Sequence, residues 1–221
     1  MKTAYVLCGL AAAAIAAGAS VMQEKEGPAY TETYLVDEKD LATTGRNPYF
    51  ILEPGWQLYF ESPDKKETLT VTVLDETKKI GGIETRVVEE REIEDGKVKE
   101  LSRNYFAICK RTNSVYYFGE DAGGAWQHGE KGARFGLMMP GTPLVGGRYY
   151  QEIAPGSAMD RAEILSVSAT YETPAGKFEK VLQTVETTPL EPKERALKHY
   201  APGVGLIQDG NLKLVTFGRK K

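Results

Sequence analysis

Six side chains of this sequence have the chemistry of metal ligands and lie near predicted turns. Carboxylates and imidazoles bind divalent cations; zinc accepts nitrogen donors, and calcium prefers oxygen donors. On a single helical turn, the carboxylates of Asp160 and Glu163 would share one face, because three residues separate them. The sequence therefore suggests a divalent-cation site, with candidate ligands Glu120, Asp121, Glu152, Asp160, Glu163 and His199. The alternative is that the acids are solvated and that His199 is an ordinary surface histidine.

Aromatic side chains are concentrated around a glycine-rich stretch that spans residues 119–160. Rings at the mouth of a β-barrel suit an apolar or sugar-like ligand, because they offer a large apolar face with a polar edge. The candidate ligand-binding residues are Tyr117, Trp126, Tyr150 and Tyr200. Packing of these rings in the core is the alternative interpretation.

The familiar catalytic and nucleotide-binding motifs are absent from the sequence. It has no Gly-x-Ser-x-Gly, no His-Glu-x-x-His, no phosphate-binding glycine loop before a helix and no cysteine pair for zinc. Cys109 ends the apolar run Tyr105–Cys109 and is predicted to be a buried packing residue. We assign no catalytic residue, and a non-catalytic protein is favoured.

The first 19 residues have the pattern of a bacterial signal peptide. Lys2 precedes an uncharged, alanine-rich run over residues 4–17, and Ala17-Gly18-Ala19 supplies the small residues of a cleavage site. We predict cleavage after this tripeptide, a secreted or periplasmic location, and no transmembrane segment in the mature chain. Cys8 would leave with the signal peptide, so Cys109 would have no partner for an internal disulfide.

Alternation of apolar and polar residues indicates β-strands along most of the chain. Residues 68–73 alternate threonine with leucine or valine, and Asp95-Gly96 fits a tight hairpin turn. No long segment has helical periodicity. We predict an all-β protein, a single antiparallel meander closing into a barrel or half-barrel, because closure removes exposed strand edges. Residues 20–46 are predicted to be a flexible N-terminal lead-in, and residues 47–221 a single β domain.

The charge balance argues against some classes of partner. The 221 residues include 28 Lys and Arg against 31 Asp and Glu, a net charge of −3. Nucleic acids and anionic membrane surfaces require a basic patch, so neither is an expected partner. The expected partner is an unknown small molecule or a component of the cell envelope.

Several motifs from residue 47 onward resemble those of a family of uncharacterised secreted bacterial proteins. They are Asn47-Pro48-Tyr49-Phe50, Tyr117-Phe118-Gly119-Glu120-Asp121, Met139-Pro140-Gly141, the Pro-Gly-x-Ala-x-Asp-x-Ala-Glu string at 155–163, Thr188-Pro189-Leu190-Glu191-Pro192 and the Tyr-Ala-Pro-Gly-Val-Gly-Leu string at 200–206. The resemblance implies secretion and a β-rich fold but carries no reaction with it. It supports Glu120, Asp121, Asp160, Glu163 and Tyr200 as site candidates, since these residues lie in the motifs.

Three functional hypotheses follow from the sequence. The leading one is a secreted or periplasmic non-catalytic binding protein whose ligand contacts the glycine-rich stretch and the His199–Gly205 turn. The others are a divalent-cation-binding protein or metal-dependent hydrolase, and a structural envelope protein that uses a sheet edge. A deep apolar cavity would favour the first hypothesis, converging carboxylates the second and a filled barrel the third.

Overall fold

The computed structural model describes residues 29–122 and 125–220. Within them a short 3-10 helix (Glu38–Asp40) accompanies seventeen strands. The strands are β1 Leu41–Ala42, β2 Gly45–Asn47, β3 Phe50–Leu52, β4 Trp56–Glu61, β5 Glu67–Ile80, β6 Ile83–Glu94, β7 Lys97–Cys109, β8 Val115–Glu120, β9 Trp126–Gln127, β10 Arg134–Met139, β11 Arg148–Tyr150, β12 Glu152–Ile153, β13 Arg161–Thr173, β14 Gly176–Thr187, β15 Ala196–Ala201, β16 Gly205–Asp209 and β17 Leu212–Arg219. The described residues include no helix long and apolar enough to cross a membrane.

Thirteen of the strands form one antiparallel sheet that is nearly closed into a barrel, which confirms the predicted all-β fold. Their order is β11-β13-β14-β15-β16-β17-β4-β5-β6-β7-β8-β10-β12, with β1 attached to β7 and β9 to β8. Most neighbours in this order are also consecutive in the chain, as in a meander. Short turns between successive strands explain this arrangement.

The barrel closes through one bent segment of chain, residues 148–153. Its first part, β11, pairs with β13, and its second part, β12, pairs with β10, with Gln151 between them. Gly136 of β10 makes the crossing possible, because a Cβ atom there would overlap the backbone carbonyl of Gln151. The two ends of the sheet therefore meet at a single residue.

The β2–β3 hairpin lies across one end of the barrel. The side-chain amide of Asn47 donates to the carbonyl oxygens of Asn113 (2.8 Å) and Pro140 (2.9 Å). The backbone N–H of Gly203 donates to the carbonyl of Pro48 at 2.7 Å. These three contacts join the hairpin to the β7–β8 turn, the end of β10 and the β15–β16 turn. The Asn-Pro-Tyr-Phe motif therefore closes this end.

The second half of β7 and most of β8 are buried on both faces. Phe106 and Ile108 belong to the largest core cluster, while Tyr105, Ala107 and Cys109 alternate with them and pack in another cluster. Cys109 is 2% exposed, which confirms its predicted burial. Burial on both faces explains why these strands read as continuous apolar runs rather than alternating ones.

Part of the predicted lead-in is attached to the barrel. β1 pairs with the end of β7, and the Tyr34 hydroxyl donates to the carbonyl of Tyr150 at 2.7 Å. The Tyr34 ring also packs beside Tyr116 and Phe135. Tyr34 and β1 thus attach this segment to the outer face of the sheet. The predicted signal peptide and residues 20–28 lie outside the described residues.

Candidate functional site

The barrel interior contains an apolar cavity of about 90 Å³. Its wall is largely aliphatic and aromatic, and Phe50 and Ile51 of the β2–β3 hairpin form part of it. Three charged side chains also line it: Glu90, Lys198 and Asp209. This volume is enough for several water molecules or for a short apolar group, since one water needs roughly 10–15 Å³ measured in this way.

A second, polar pocket of about 430 Å³ adjoins the cavity and opens to solvent. We call it the mouth, and it is lined by Asp160, Glu186, Thr187, Thr188, Glu194, Arg195, Ala196, Lys198 and Asp209. Lys198 and Asp209 line both spaces. These two side chains therefore form the boundary between the apolar cavity and the solvent-filled mouth.

Strand register places the charged groups on the interior face. Leu182 pairs with Tyr200 and Thr184 with Lys198 across β14 and β15. Directly opposed residues project to the same face, and every second residue along a strand shares that face. Glu186, two residues after Thr184, therefore also faces inward.

Lys198 forms two ion pairs at the boundary. Its Nζ lies 3.0 Å from a carboxylate oxygen of Glu186 and 3.2 Å from one of Asp209. Burial lowers the pKa of Lys198, but the attraction of Glu186 and Asp209 outweighs it and holds the pKa well above its ordinary value. The Lys198 side chain is therefore a charged ammonium with both partners already in place.

The other oxygen of Glu186 is held by neutral donors. Gln151 donates its side-chain amide to Glu186 Oε1 at 3.0 Å, and the Tyr200 hydroxyl donates to the same oxygen at 3.3 Å. Gln151 is also the residue at which the barrel closes. The closure of the barrel thus positions the carboxylate that pairs with Lys198.

Glu90 projects into the cavity from β6. It forms no hydrogen bond or ion pair with any of the described residues, and burial raises its pKa to about 7. Its charge is attracted by Lys198 and repelled by Asp209, Glu120 and Glu92. Near neutral pH this carboxyl is therefore divided between its protonated and ionised forms.

Three more carboxyl groups crowd this end of the barrel. The pKa of Glu152 is raised well above its ordinary value, first by burial and then by repulsion from Asp160. Burial also raises the pKa of Asp160 and of Glu120. One oxygen of Glu152 accepts the backbone N–H of Asp160 at 2.9 Å. Carboxyl groups with raised pKa values therefore lie in the mouth, at Asp160, and near it, at Glu152 and Glu120.

The six candidate metal ligands are not brought together. Among the described residues, no group of three or more His, Cys, Asp or Glu side chains is placed to hold a metal ion. Glu120, Glu152 and Asp160 lie near one another, as described above. Glu163 instead pairs with Arg148 at 2.8 Å, and Asp121 accepts the Tyr105 hydroxyl at 2.6 Å.

Asp160 and Glu163 do not share a helical turn, because β13 begins at Arg161 and Glu163 is in an extended strand. His199 is buried next to the interior residues Lys198 and Tyr200, with its ring 4.1 Å from the ring of Tyr171. The Nε2 atom of His199 lies 3.1 Å from the side-chain nitrogen of Gln183. His199 is therefore held by stacking and does not line the cavity or the mouth.

Of the four candidate ligand-binding aromatics, Tyr200 lines the cavity. Tyr117 stacks on Phe106 at 4.7 Å and donates its hydroxyl to Asn104, so it is a core residue. Trp126 packs edge-on against Tyr117 within the same core cluster. Tyr150 is half-buried and packs against Tyr30. Tyr117 and Trp126 therefore belong to the core cluster, and neither lines the cavity or the mouth.

The charged residues of the boundary were not among the sequence-based candidates. Lys198 directly precedes His199-Tyr200, and Glu186 follows an alternating series that includes Leu182 and Thr184. The signal that could have identified them is a charged residue at a strand position whose alternation places it on the interior face.

Comparison of the chain with models of protein families, with curated proteins and with solved structures finds no match.

Proposed function

We propose that this protein is a non-catalytic binding protein that holds a small amphipathic molecule inside the barrel. The observation that carries the proposal is the connection between an apolar cavity and a polar mouth, which share Lys198 and Asp209. The β2–β3 hairpin lies across the opposite end, so a ligand would enter through the mouth. Its apolar part would fill the cavity, and its polar head would remain among the charged groups.

The cavity supplies the binding energy in this proposal. Each methylene group moved from water into an apolar space contributes about 0.8 kcal/mol, so a short alkyl chain is sufficient for measurable affinity. The wall is mostly aliphatic and aromatic, which suits the binding of an apolar group. The signal-peptide pattern predicts that the protein meets this ligand outside the cytoplasm.

The proposal is tested by titrating the purified protein with hexan-1-ol. We expect saturable binding by calorimetry and a rise in melting temperature that increases with ligand concentration. Val71→Phe should abolish both effects, because Val71 lines the cavity and the larger ring would fill it. The matched control is Val98→Phe, since Val98 is 51% exposed.

Overpacking in Val71→Phe is expected to cost about 1–3 kcal/mol, so circular dichroism must first establish that the variant is folded. Equal hexan-1-ol affinity in the wild type and folded Val71→Phe would reject the barrel interior as the binding site. Absence of saturable binding to the wild type would reject the proposed function itself.

A further inference from the structure

We propose that this site binds a cationic head group, an ammonium attached to a small apolar body. In the free protein, the ammonium of Lys198 occupies the position of this head group. This inference rests on the proposed function and names the class of ligand. It draws on the ion pairs of Lys198, on groups left without partners inside the barrel and on the excess of carboxyl groups around them.

Lys198 is not available as an anchor for an anion. Its ammonium already lies 3.0 Å from Glu186 and 3.2 Å from Asp209, and a negatively charged ligand would have to break these pairs. Such a ligand would also meet Glu90, Asp160 and Glu194 in the same spaces, whereas Arg195 is the one further cation among the described residues that line them. Like charges brought together in a partly desolvated site repel strongly. An anionic head group is therefore disfavoured.

One polar group that lines the cavity lacks a partner and suits an incoming ammonium. The carboxyl of Glu90 faces the cavity and contacts no donor among the described residues. The hydroxyl of Thr184, on the interior face beside Lys198, also has no hydrogen-bond partner among the described residues, but it lines neither the cavity nor the mouth. An ammonium brings three donors and needs several acceptors. Glu90 provides carboxylate oxygens that Lys198 does not use.

The Lys198 side chain resembles the proposed ligand in chemical terms. It is a primary ammonium at the end of an apolar stem, and it occupies the boundary between the cavity and the mouth. Buried carboxylates left without a cation are costly, so a resident ammonium keeps the empty site stable. A ligand ammonium can therefore share Glu186 and Asp209 with Lys198 or replace it there.

The test compares three probes with the same six-carbon chain: hexylammonium, hexan-1-ol and hexanoate. Calorimetry at pH 7.5 should give an affinity for hexylammonium that is roughly tenfold or more above that for hexan-1-ol, because the cation adds charge-assisted hydrogen bonds. Hexanoate should bind most weakly. The common chain makes any difference attributable to the head group.

Two variants assign the effect to named groups. Lys198→Met removes the resident ammonium, so it should bind hexylammonium at least tenfold more tightly than the wild type and gain more in melting temperature from it. Glu90→Gln should reduce hexylammonium affinity, so that the ratio of hexylammonium affinity to hexan-1-ol affinity falls toward one. Lys177→Met and Glu179→Gln are the matched controls, because both residues are exposed on β14.

The outcomes separate the two proposals. If no probe binds to the wild type, the proposed function fails. If hexan-1-ol or hexanoate binds as tightly as hexylammonium, the barrel binds ligands but the cation inference is overturned. If hexylammonium binds more weakly to Lys198→Met than to the wild type, Lys198 helps to hold the ligand, and the cation inference is likewise overturned. Should Lys198→Met fail to fold, Glu90→Gln decides: unchanged hexylammonium affinity in that variant overturns the inference.

Discussion

The carboxyl of Glu90 faces the barrel interior together with Val88, and the alternating residue Glu89 pairs with Arg103 on the other face. Glutamate side chains are usually solvated, but this inward position places Glu90 in the cavity wall. Burial disfavours the ionised form, and no hydrogen-bond donor compensates for it. The free energy of folding should therefore depend on the protonation of this group.

Glu90→Gln should increase the stability of the protein relative to the wild type, and the increase should be larger at pH 8 than at pH 4.5. The folded-state pKa is about 7, above the ordinary value of 4.5, so stability falls as pH rises through this interval because the unfolded chain loses its proton first. Between pH 4.5 and pH 8 the wild type should therefore lose about 3 kcal/mol of its free energy of unfolding, at about 1.4 kcal/mol for each unit by which the pKa is shifted. The glutamine variant should not lose this free energy. Urea unfolding at both pH values measures the difference.

Glu179→Gln is the control for this measurement, because Glu179 is exposed on β14. Its stability relative to the wild type should be the same at pH 4.5 and at pH 8. A pH-independent difference between Glu90→Gln and the wild type would contradict the assigned pKa. Lys198, Asp209, Glu120 and Glu92 also face Glu90 and set how far its pKa shifts, with Lys198 opposing the others.

The β2–β3 hairpin depends on one buried amide. Asn47 donates two hydrogen bonds to Asn113 and Pro140, and its side-chain oxygen accepts the backbone N–H of Tyr49 at 2.7 Å. No neighbouring residue in the sequence supplies these carbonyls. The hairpin is therefore attached to the barrel by contacts between distant parts of the chain.

Asn47→Ala should lower the free energy of unfolding by about 2–4 kcal/mol. The substitution removes three hydrogen bonds, each worth about 0.5–1.5 kcal/mol, and leaves the partly buried carbonyls of Asn113 and Pro140 without their donor. Denaturant unfolding measures the loss. Asn211→Ala is the control, because Asn211 is exposed and its amide makes one long contact with Glu67 at 3.3 Å. Equal effects of the two substitutions would contradict the role assigned to Asn47.

The strands and their order could be predicted because both depend on local sequence. Alternation over residues 68–73 and the Asp95-Gly96 turn define β5 and the β6–β7 hairpin, and a meander pairs strands that follow one another. The pairing of β17 with β4 and the bend at Gln151 join residues far apart in the chain. No local pattern specifies them, so the mode of closure could not be predicted.

The candidate site was harder to predict because it depends on strand phase. Tyr149 is buried and Tyr150 is half-buried on the opposite face, so a shift of one residue exchanges core for surface. Lys198 and Glu186 are residues of types that are usually solvated. They face the interior because of the register between β14 and β15, which residue type does not reveal. Tyr200 was identified because it lies in a motif and is aromatic. Residue type alone identified part of the cavity wall but not its charged boundary.

Across the molecule, the apolar and acidic parts of the interior are separated along the barrel. The β2–β3 hairpin adds Phe50 and Ile51 to the cavity at one end, whereas Asp160 and Glu186 lie at the mouth. This separation requires a closed wall, because carboxyl groups exposed through a gap would be solvated and would ionise normally. The raised pKa values of Glu90 and Glu152 therefore depend on the packing of the sheet around these two groups.

Gly136→Ala should open the barrel where its two ends meet. The added Cβ would overlap the carbonyl of Gln151, so the segment 148–153 must move away from β10. We expect a loss of about 3 kcal/mol or more in the free energy of unfolding, the upper range for overpacking. Hydrogen exchange should quicken in residues 134–139 and 148–153, and hexan-1-ol binding should weaken because Gln151 no longer positions Glu186.

Gly82→Ala is the control that separates steric overlap from backbone strain. Gly82 has a φ of +95°, and a Cβ there would contact nothing within 4 Å, so its substitution costs strain of about 1–2 kcal/mol without overlap. Exchange at residues 134–139 should remain slow in this variant, since β10 is untouched. If both variants lose equal stability, or if Gly136→Ala leaves exchange at 148–153 unchanged, the barrel does not close through Gln151.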